Sequence, residues 1–166
     1  MSLITKSTFP RAGFRRRFAS WVYDVLLAIA VYMTAGAASF LIITLLVRYG
    51  AFDLQGYQHL SDTISNTYWL LWPNEFWKLA WVAFFFIWFW SKSGQTLGMK
   101  AWRLKVQNQD GSLISKTTGL KRLLPTLLGL GNFAVLVDRK HKLSLQDRLT
   151  DTEVVLLTLE ANKGRL

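Results

Sequence analysis

Residues 18–47, FASWVYDVLLAIAVYMTAGAASFLIITLLV, carry one charged side chain, Asp24, and no proline. As a helix this block would be about 45 Å long, more than the roughly 30 Å hydrocarbon core of a bilayer demands. Its first turns therefore belong to the headgroup zone. Val25 to Val47 suffices for the span, which sets Asp24 at the cytoplasmic edge with Trp21 and Tyr23 as interfacial aromatics. The preceding basic residues and Ala35-Gly36-Ala37 imitate a secretory signal and its cleavage site. The apolar run nevertheless continues to Val47, about twice an ordinary signal core, and reads as an uncleaved anchor.

Outward from that block the cations are distributed unevenly. Lys6, Arg11, Arg15, Arg16 and Arg17 precede it, and Lys92, Lys100, Arg103, Lys105, Lys116, Lys121 and Arg122 follow a second apolar block. Arg48 alone lies between. This is the asymmetry of a helical hairpin with both ends in the cytoplasm. It also accounts for the net charge of +10 without nucleic acid as a partner. The chain has 166 residues, 51% of them hydrophobic, with eight Trp and eleven Phe, which suits one membrane domain. Cysteine is absent, which excludes disulfides and thiolate metal sites.

Residues 48–72 are polar and suit an external loop, with a short interfacial helix around Leu60 and Ile64 capped by Ser61 or Asp62. Pro73, Asn74 and Glu75 suit the first turn of a second span over residues 73–90, since proline and acids are tolerated there. Its rings, among them Trp77, Trp81, Phe84, Phe85, Phe86, Trp88 and Phe89, exceed what lipid contact requires. After Ser91 the pattern alternates, with Trp102, Leu104 and Val106 against Arg103, Lys105 and Gln107. Asp110-Gly111 then predicts a small cytoplasmic β-hairpin, which a late strand, Thr152 to Leu159, could join as a third. Leu123 to Val137 is apolar but short and holds Pro125, Gly129 and Gly131. With basic residues at both ends, including Arg139 and Lys140, it suits an interfacial or re-entrant helix better than a third span.

The expected fold is thus a mainly α membrane protein. It comprises a basic cytoplasmic arm (1–17), a two-span transmembrane hairpin (18–47 and 73–90) joined by an external loop (48–72), and a cytoplasmic or interfacial remainder (91–166). That remainder holds the short third helix and a β-hairpin or three-stranded sheet.

Polar residues in or beside a span are expensive and mark a site or a packing lock. Arg17, Ser20 and Asp24 return to one helical face, but Arg17 and Asp24 lie about 10 Å apart along the axis, too far for a direct bond. Each needs another partner or a bridge. The segment Leu143-Ser144-Leu145-Gln146-Asp147-Arg148-Leu149 offers Asp147 for Arg17 and Arg148 for Asp24, a crossed pairing suggested by charge balance.

Arg16-Arg17-Phe18-Ala19-Ser20-Trp21-Val22-Tyr23-Asp24, Gly94-Gln95-Thr96-Leu97-Gly98 and Ser144-Leu145-Gln146-Asp147-Arg148-Leu149 together resemble the RDD family, in the right order over nearly the whole chain. The resemblance implies that its naming triad is Arg17, Asp24 and Asp147. It also implies a bacterial inner-membrane location, transport of unidentified ligands, and an association of some members with cation and proton antiport. Two departures stand out. Gln146 replaces a usual histidine, so a proton-carrying role for that histidine has no counterpart here, and Thr150-Asp151 replaces a usual Ala-Gly.

The bland reading of Arg17 and Asp24 is that they fix the depth and partner of the first helix; the sharper one is a transported-ion site. Gly94 to Lys100 lacks the spacing and the Ser or Thr of a phosphate loop. His59 and His141 fall in segments on opposite sides and share no metal. No catalytic grouping can be built, so neither enzyme activity nor a cofactor is expected. Ala30, Thr34 and Ala38, with Ala35 and Ser39 beside them, form a small-residue face for the chain's own second helix or for a partner helix.

Two spans are too few to enclose a solute path. The expectation is a non-catalytic accessory or regulatory subunit docked on a larger envelope transport complex, lipid or ABC-type. A small oligomeric ion or solute transporter using Asp24 is the alternative. A second is a binder of anionic membrane lipids through Lys116, Lys121 and Arg122.

Overall fold

A computed structural model of the chain describes residues 9–51, 53–54, 56, 58–127, 129–138 and 140–164. Lys6 and Arg139, two of the flanking cations, lie outside them. The chain is mainly helical, with helices α1 (Phe14–Arg48), α2 (Leu60–Asn66), α3 (Tyr68–Lys92), α4 (Leu97–Ala101), α5 (Lys116–Leu127), α6 (Ala134–Val137), α7 (Leu145–Leu149) and α8 (Leu159–Lys163). Strands β1 (Leu104–Asn108) and β2 (Thr152–Leu156) form one two-stranded sheet.

Among the described residues α1 is the one continuous helix long and apolar enough to cross a membrane, with a mean hydropathy of 2.2 in its best window. It begins four residues before the expected start, because Phe14 to Arg17 wind as its first turn. The second helix begins at Tyr68 rather than Pro73, so Pro73 is inside α3. The amides of Leu70 and Leu71 bond to Thr67 O and start the helix there. Proline at the sixth position then removes one amide near the end of the helix, where the loss is smaller than in mid-helix.

Two compact units make up the chain, Ala28–Val82 and Met1–Leu27 with Ala83–Leu166. Within the first, the small-residue face of α1 is divided. Ala35 is buried and its carbonyl accepts from Trp77 Nε1 at 3.2 Å, while Ser39 donates to Asn74 Oδ1 at 2.7 Å. These residues take the chain's own second helix, but Ala30, Thr34 and Ala38 remain exposed. The helix is wound so that positions 32, 35, 36 and 39 meet α3, a stripe one position away from the expected one. α2 is present as expected, but its N-cap is His59, which makes no side-chain cap bond.

In the second unit the expected hairpin is replaced by a long-range sheet. β1 pairs antiparallel with β2 in the register Leu104↔Leu156, Val106↔Val154 and Asn108↔Thr152. The Asp110-Gly111 turn does form, with Gly111 N–H on Asn108 O and Asn108 N–H on Ser112 O. The returning arm stops there because Ser115 receives the Thr118 amide and starts α5, while the edge of β1 is taken by β2. A third short edge comes from the amino-terminal arm: Arg11 bridges Val155, and Leu156 N–H donates to Pro10 O at 2.8 Å. Leu104, Val106 and Val154 are buried around one cavity with Phe86 and Trp90 of α3, and Val155, on the opposite face of the strand, is buried as well. The polar face is self-satisfied, Gln107 Nε2 donating to Glu153 Oε1 and Arg11 Nε to Glu153 Oε2.

The apolar segment 123–137 is broken. α5 ends at Leu127, Gly129 takes a left-handed φ of 70°, and a 3-10 turn (Leu130–Phe133) leads into α6. The two halves meet at 88°, so this segment is no straight span.

Candidate functional site

Arg17, Ser20 and Asp24 are all buried on one face of α1. The face is polar because two different loops dock on it. Arg17 meets α7 and the middle of β2, and Asp24 meets the turn that follows α3.

The capping box at the start of α7 presents Asp147. Ser144 Oγ accepts the Asp147 amide, and Asp147 Oδ2 accepts the Ser144 amide at 3.0 Å. The other polar contacts of this carboxylate are two guanidiniums. Arg17 Nη1 donates to Oδ2 at 2.6 Å and Arg122 Nη2 to Oδ1 at 2.8 Å. All five N–H groups of Arg17 are used, the others going to the carbonyls of Ala12, Lys142 and Val154 and to Ser144 Oγ. Arg122 places Nη1 on Thr150 Oγ1 and Thr152 Oγ1. Burial pushes the Asp147 carboxyl up, but Arg17, Arg122 and the Ser144 amide outweigh it and hold the group below the ordinary carboxylate value.

Asp24 is held differently. Thr96 Oγ1 donates to Oδ2 at 2.7 Å and the Gly98 amide to Oδ1 at 3.1 Å. The same Thr96 hydroxyl accepts the Met99 amide and so caps α4. Gly98 lies against the carboxylate at a distance that excludes a side chain.

Of the crossed pairing, the Arg17 and Asp147 half is formed. The Asp24 and Arg148 half is corrected: Arg148 Nη2 donates to Asp138 Oδ2 at 2.8 Å, and its side chain is 55% exposed. Consecutive residues of a helix point about 100° apart, and with Gln146 and Asp147 both turned inward Arg148 falls on the open side. The proposed basic face also needs correction. Lys116 and Lys121 are exposed, but Arg122 is 3% exposed and committed to Asp147.

Sequence reasoning missed three features. Arg122 completes the triad's charge balance; its signal was its place three residues beyond Gly119 and beside Leu123, on the buried side of α5. Thr96 and Gly98 belong to a turn motif whose uncharged hydroxyl and amide do not mark them as partners of Asp24. A second cluster lies in the other unit, where Tyr32 Oη donates to Glu75 Oε2 and Lys78 Nζ to Glu75 Oε1, both at 2.5 Å. Lys78 Nζ also lies 4.6 Å from the centre of the Tyr32 ring. An acid and a base three apart in an aromatic helix were the available signal.

Among the described residues no three His, Asp or Glu side chains gather as a metal site. A family model described as the RDD family matches residues 11–151. No curated protein and no solved structure matches the chain.

Proposed function

The chain belongs to the RDD family, and on that premise we propose that it is a non-catalytic, multi-pass integral protein of the bacterial inner membrane. α1 and α3 cross the bilayer, both termini are cytoplasmic, and the module of residues 91–164 lies on the cytoplasmic side. It serves as an accessory subunit of a larger membrane complex.

One observation carries this reading. The charged groups that name the family are buried and engaged: Arg17 uses every donor, Asp147 bridges two arginines, and Asp24 is held by Thr96 and Gly98. A group in that condition fixes one element on another; it is not free to attack a substrate or to ligate a passing ion. The exposed apolar side chains of α1, Leu26, Ile29, Met33, Leu41 and Ile42 among them, add surface that lipid or partner helices would cover.

Purification of the full chain in mild detergent, with identification of the proteins that stay bound, tests it. A stoichiometric larger membrane protein is the expected result. A chain that remains soluble and monomeric without detergent would overturn the membrane reading, and a homo-oligomer alone would overturn the accessory role.

Ion or solute transport by an oligomer is favoured by one different observation, the Tyr32, Glu75 and Lys78 cluster between two apolar helices, since ionisable groups at such depth commonly serve transport. Cation flux in vesicles that Glu75→Gln abolishes at unchanged protein level would select it. Flux that Asp24→Asn abolishes instead would move the site to the first triad.

A further inference from the structure

The break between α5 and the 3-10 turn is where unpaired hydrogen-bonding atoms gather. The indole of Trp21 lies on Gly129, so that a Cβ there would be 3.3 Å from Trp21 Nε1. Gln146 Oε1 lies so close to Gly131 that no Cβ fits between them. Thr126 Oγ1 sits on the last turn of α5. All three atoms are sealed from solvent and have no hydrogen-bond partner. Their side chains line a single cavity of about 60 Å³, with Asp24, Phe86 and Met99 among its other walls. Buried polar groups are ordinarily paired, and three that turn no bond to the protein around one cavity mark it as a place suited to a hydrogen-bonding guest.

The chemistry of that partner follows from what the walls lack. An indole N–H only donates, an amide oxygen only accepts, and a hydroxyl does either. Gln146 turns its amide nitrogen to Asn132 Oδ1 at 3.1 Å, which leaves its oxygen for the cavity. The charges nearby are committed, Arg17 and Arg122 to Asp147 and Asp24 to Thr96 and Gly98, so an ion would find no free counter-charge. A guest must therefore be neutral and must accept from Trp21 while donating to Gln146, which a single hydroxyl oxygen does. The volume accommodates a few water molecules, or one small alcohol.

We propose that the cavity onto which Trp21, Thr126 and Gln146 open is a binding site for a neutral hydroxyl guest, either water or a small alcohol. This accounts for Gly129 and Gly131, which leave room for the indole and the amide. It also gives Gln146 a role suited to an uncharged side chain.

The test uses the full chain in nanodiscs with nitrogen-15 tryptophan. Trp21→Phe identifies the Trp21 indole signal among the eight. A persistent cross-peak from that indole to water is expected, lost in Thr126→Val and in Gln146→Leu and kept in Thr126→Ser, which shows that the variants differ in bonding and not in folding. Titration with glycerol distinguishes the sources. A saturable shift of the Trp21 signal with loss of the water cross-peak assigns the site to an alcohol, and no shift assigns it to water. A Trp21 indole with neither a water cross-peak nor a glycerol shift, but displaced by dissolved xenon, would mark a dry apolar void and overturn the proposal. Survival of the cross-peak in both Thr126→Val and Gln146→Leu would overturn it equally.

Discussion

A methyl group on Gly98 would lie 2.5 Å from Asp24 Oδ1 and 2.8 Å from the Ser20 carbonyl, so the Gly98 amide reaches the carboxylate because residue 98 has no side chain. Gly98→Ala is expected to cost about 1–3 kcal/mol through overpacking and the loosened amide bond. Thermal unfolding in detergent measures it. A midpoint equal to that of the wild type would mean that α4 moves aside without penalty.

Asp147→Asn removes the counter-charge of two buried guanidiniums. Leaving buried cations uncompensated costs about 3–5 kcal/mol, enough to deplete folded protein in the membrane. Arg148→Ala, one residue along, breaks an exposed contact with Asp138 and is expected to leave the unfolding midpoint where it was. Equal losses in the two variants would contradict the division between inward and outward faces of α7.

The pH dependence of stability has a definite sign. The folded-state pKa of Asp147 is below its ordinary value of 3.8, so unfolding takes up a proton near that value and acid destabilises the fold. The contribution of Asp147 is complete above about pH 5 and is lost as the pH falls through the depressed folded value. Denaturant midpoints recorded from neutral to acid pH should fall in the wild type and should fall less steeply in Asp147→Asn. Parallel curves for the two proteins would rule out Asp147 as the group responsible.

Asp151 has a φ of 50°, in the left-handed region that favours glycine. The family resemblance expects glycine at this position, and the backbone conformation gives the reason. Asp151→Gly is expected to raise stability by up to about 1 kcal/mol, seen as a midpoint higher by about 2–4 °C. A lower midpoint would show that the aspartate side chain contributes more than its backbone strain costs.

Much of the fold could be read from local pattern. The 18–47 block, the alternation of Leu104 and Val106 with Lys105 and Gln107, and the helix around Leu60 depend on neighbours a few residues away. The hairpin could not be read correctly, because Asp110-Gly111 is a sound local turn signal whose strand partner was decided by β2, 48 residues beyond β1. In the site, Arg17 with Asp147 followed from charge balance among few acids. Asp24 was misassigned because its partners are a hydroxyl and a backbone amide, and neither registers in a count of charges. Arg122 was read as a surface cation for the same reason: its burial is a property of how α5 packs, not of its own composition.

The sheet and the Arg17 contact also constrain the order in which the molecule can be completed. The arm at Pro10 to Ala12 lies along β2, and Arg17 meets a carboxylate 130 residues later in the chain. During synthesis the first helix therefore emerges long before its counter-ion exists: Asp24 meets its partners once Thr96 and Gly98 have been made, but Arg17 must stay hydrated until Asp147 has been made. A chain released short of residue 147 would retain its membrane anchor yet display an unneutralised cation beside it, a mark by which a quality-control protease could tell an unfinished copy from a finished one.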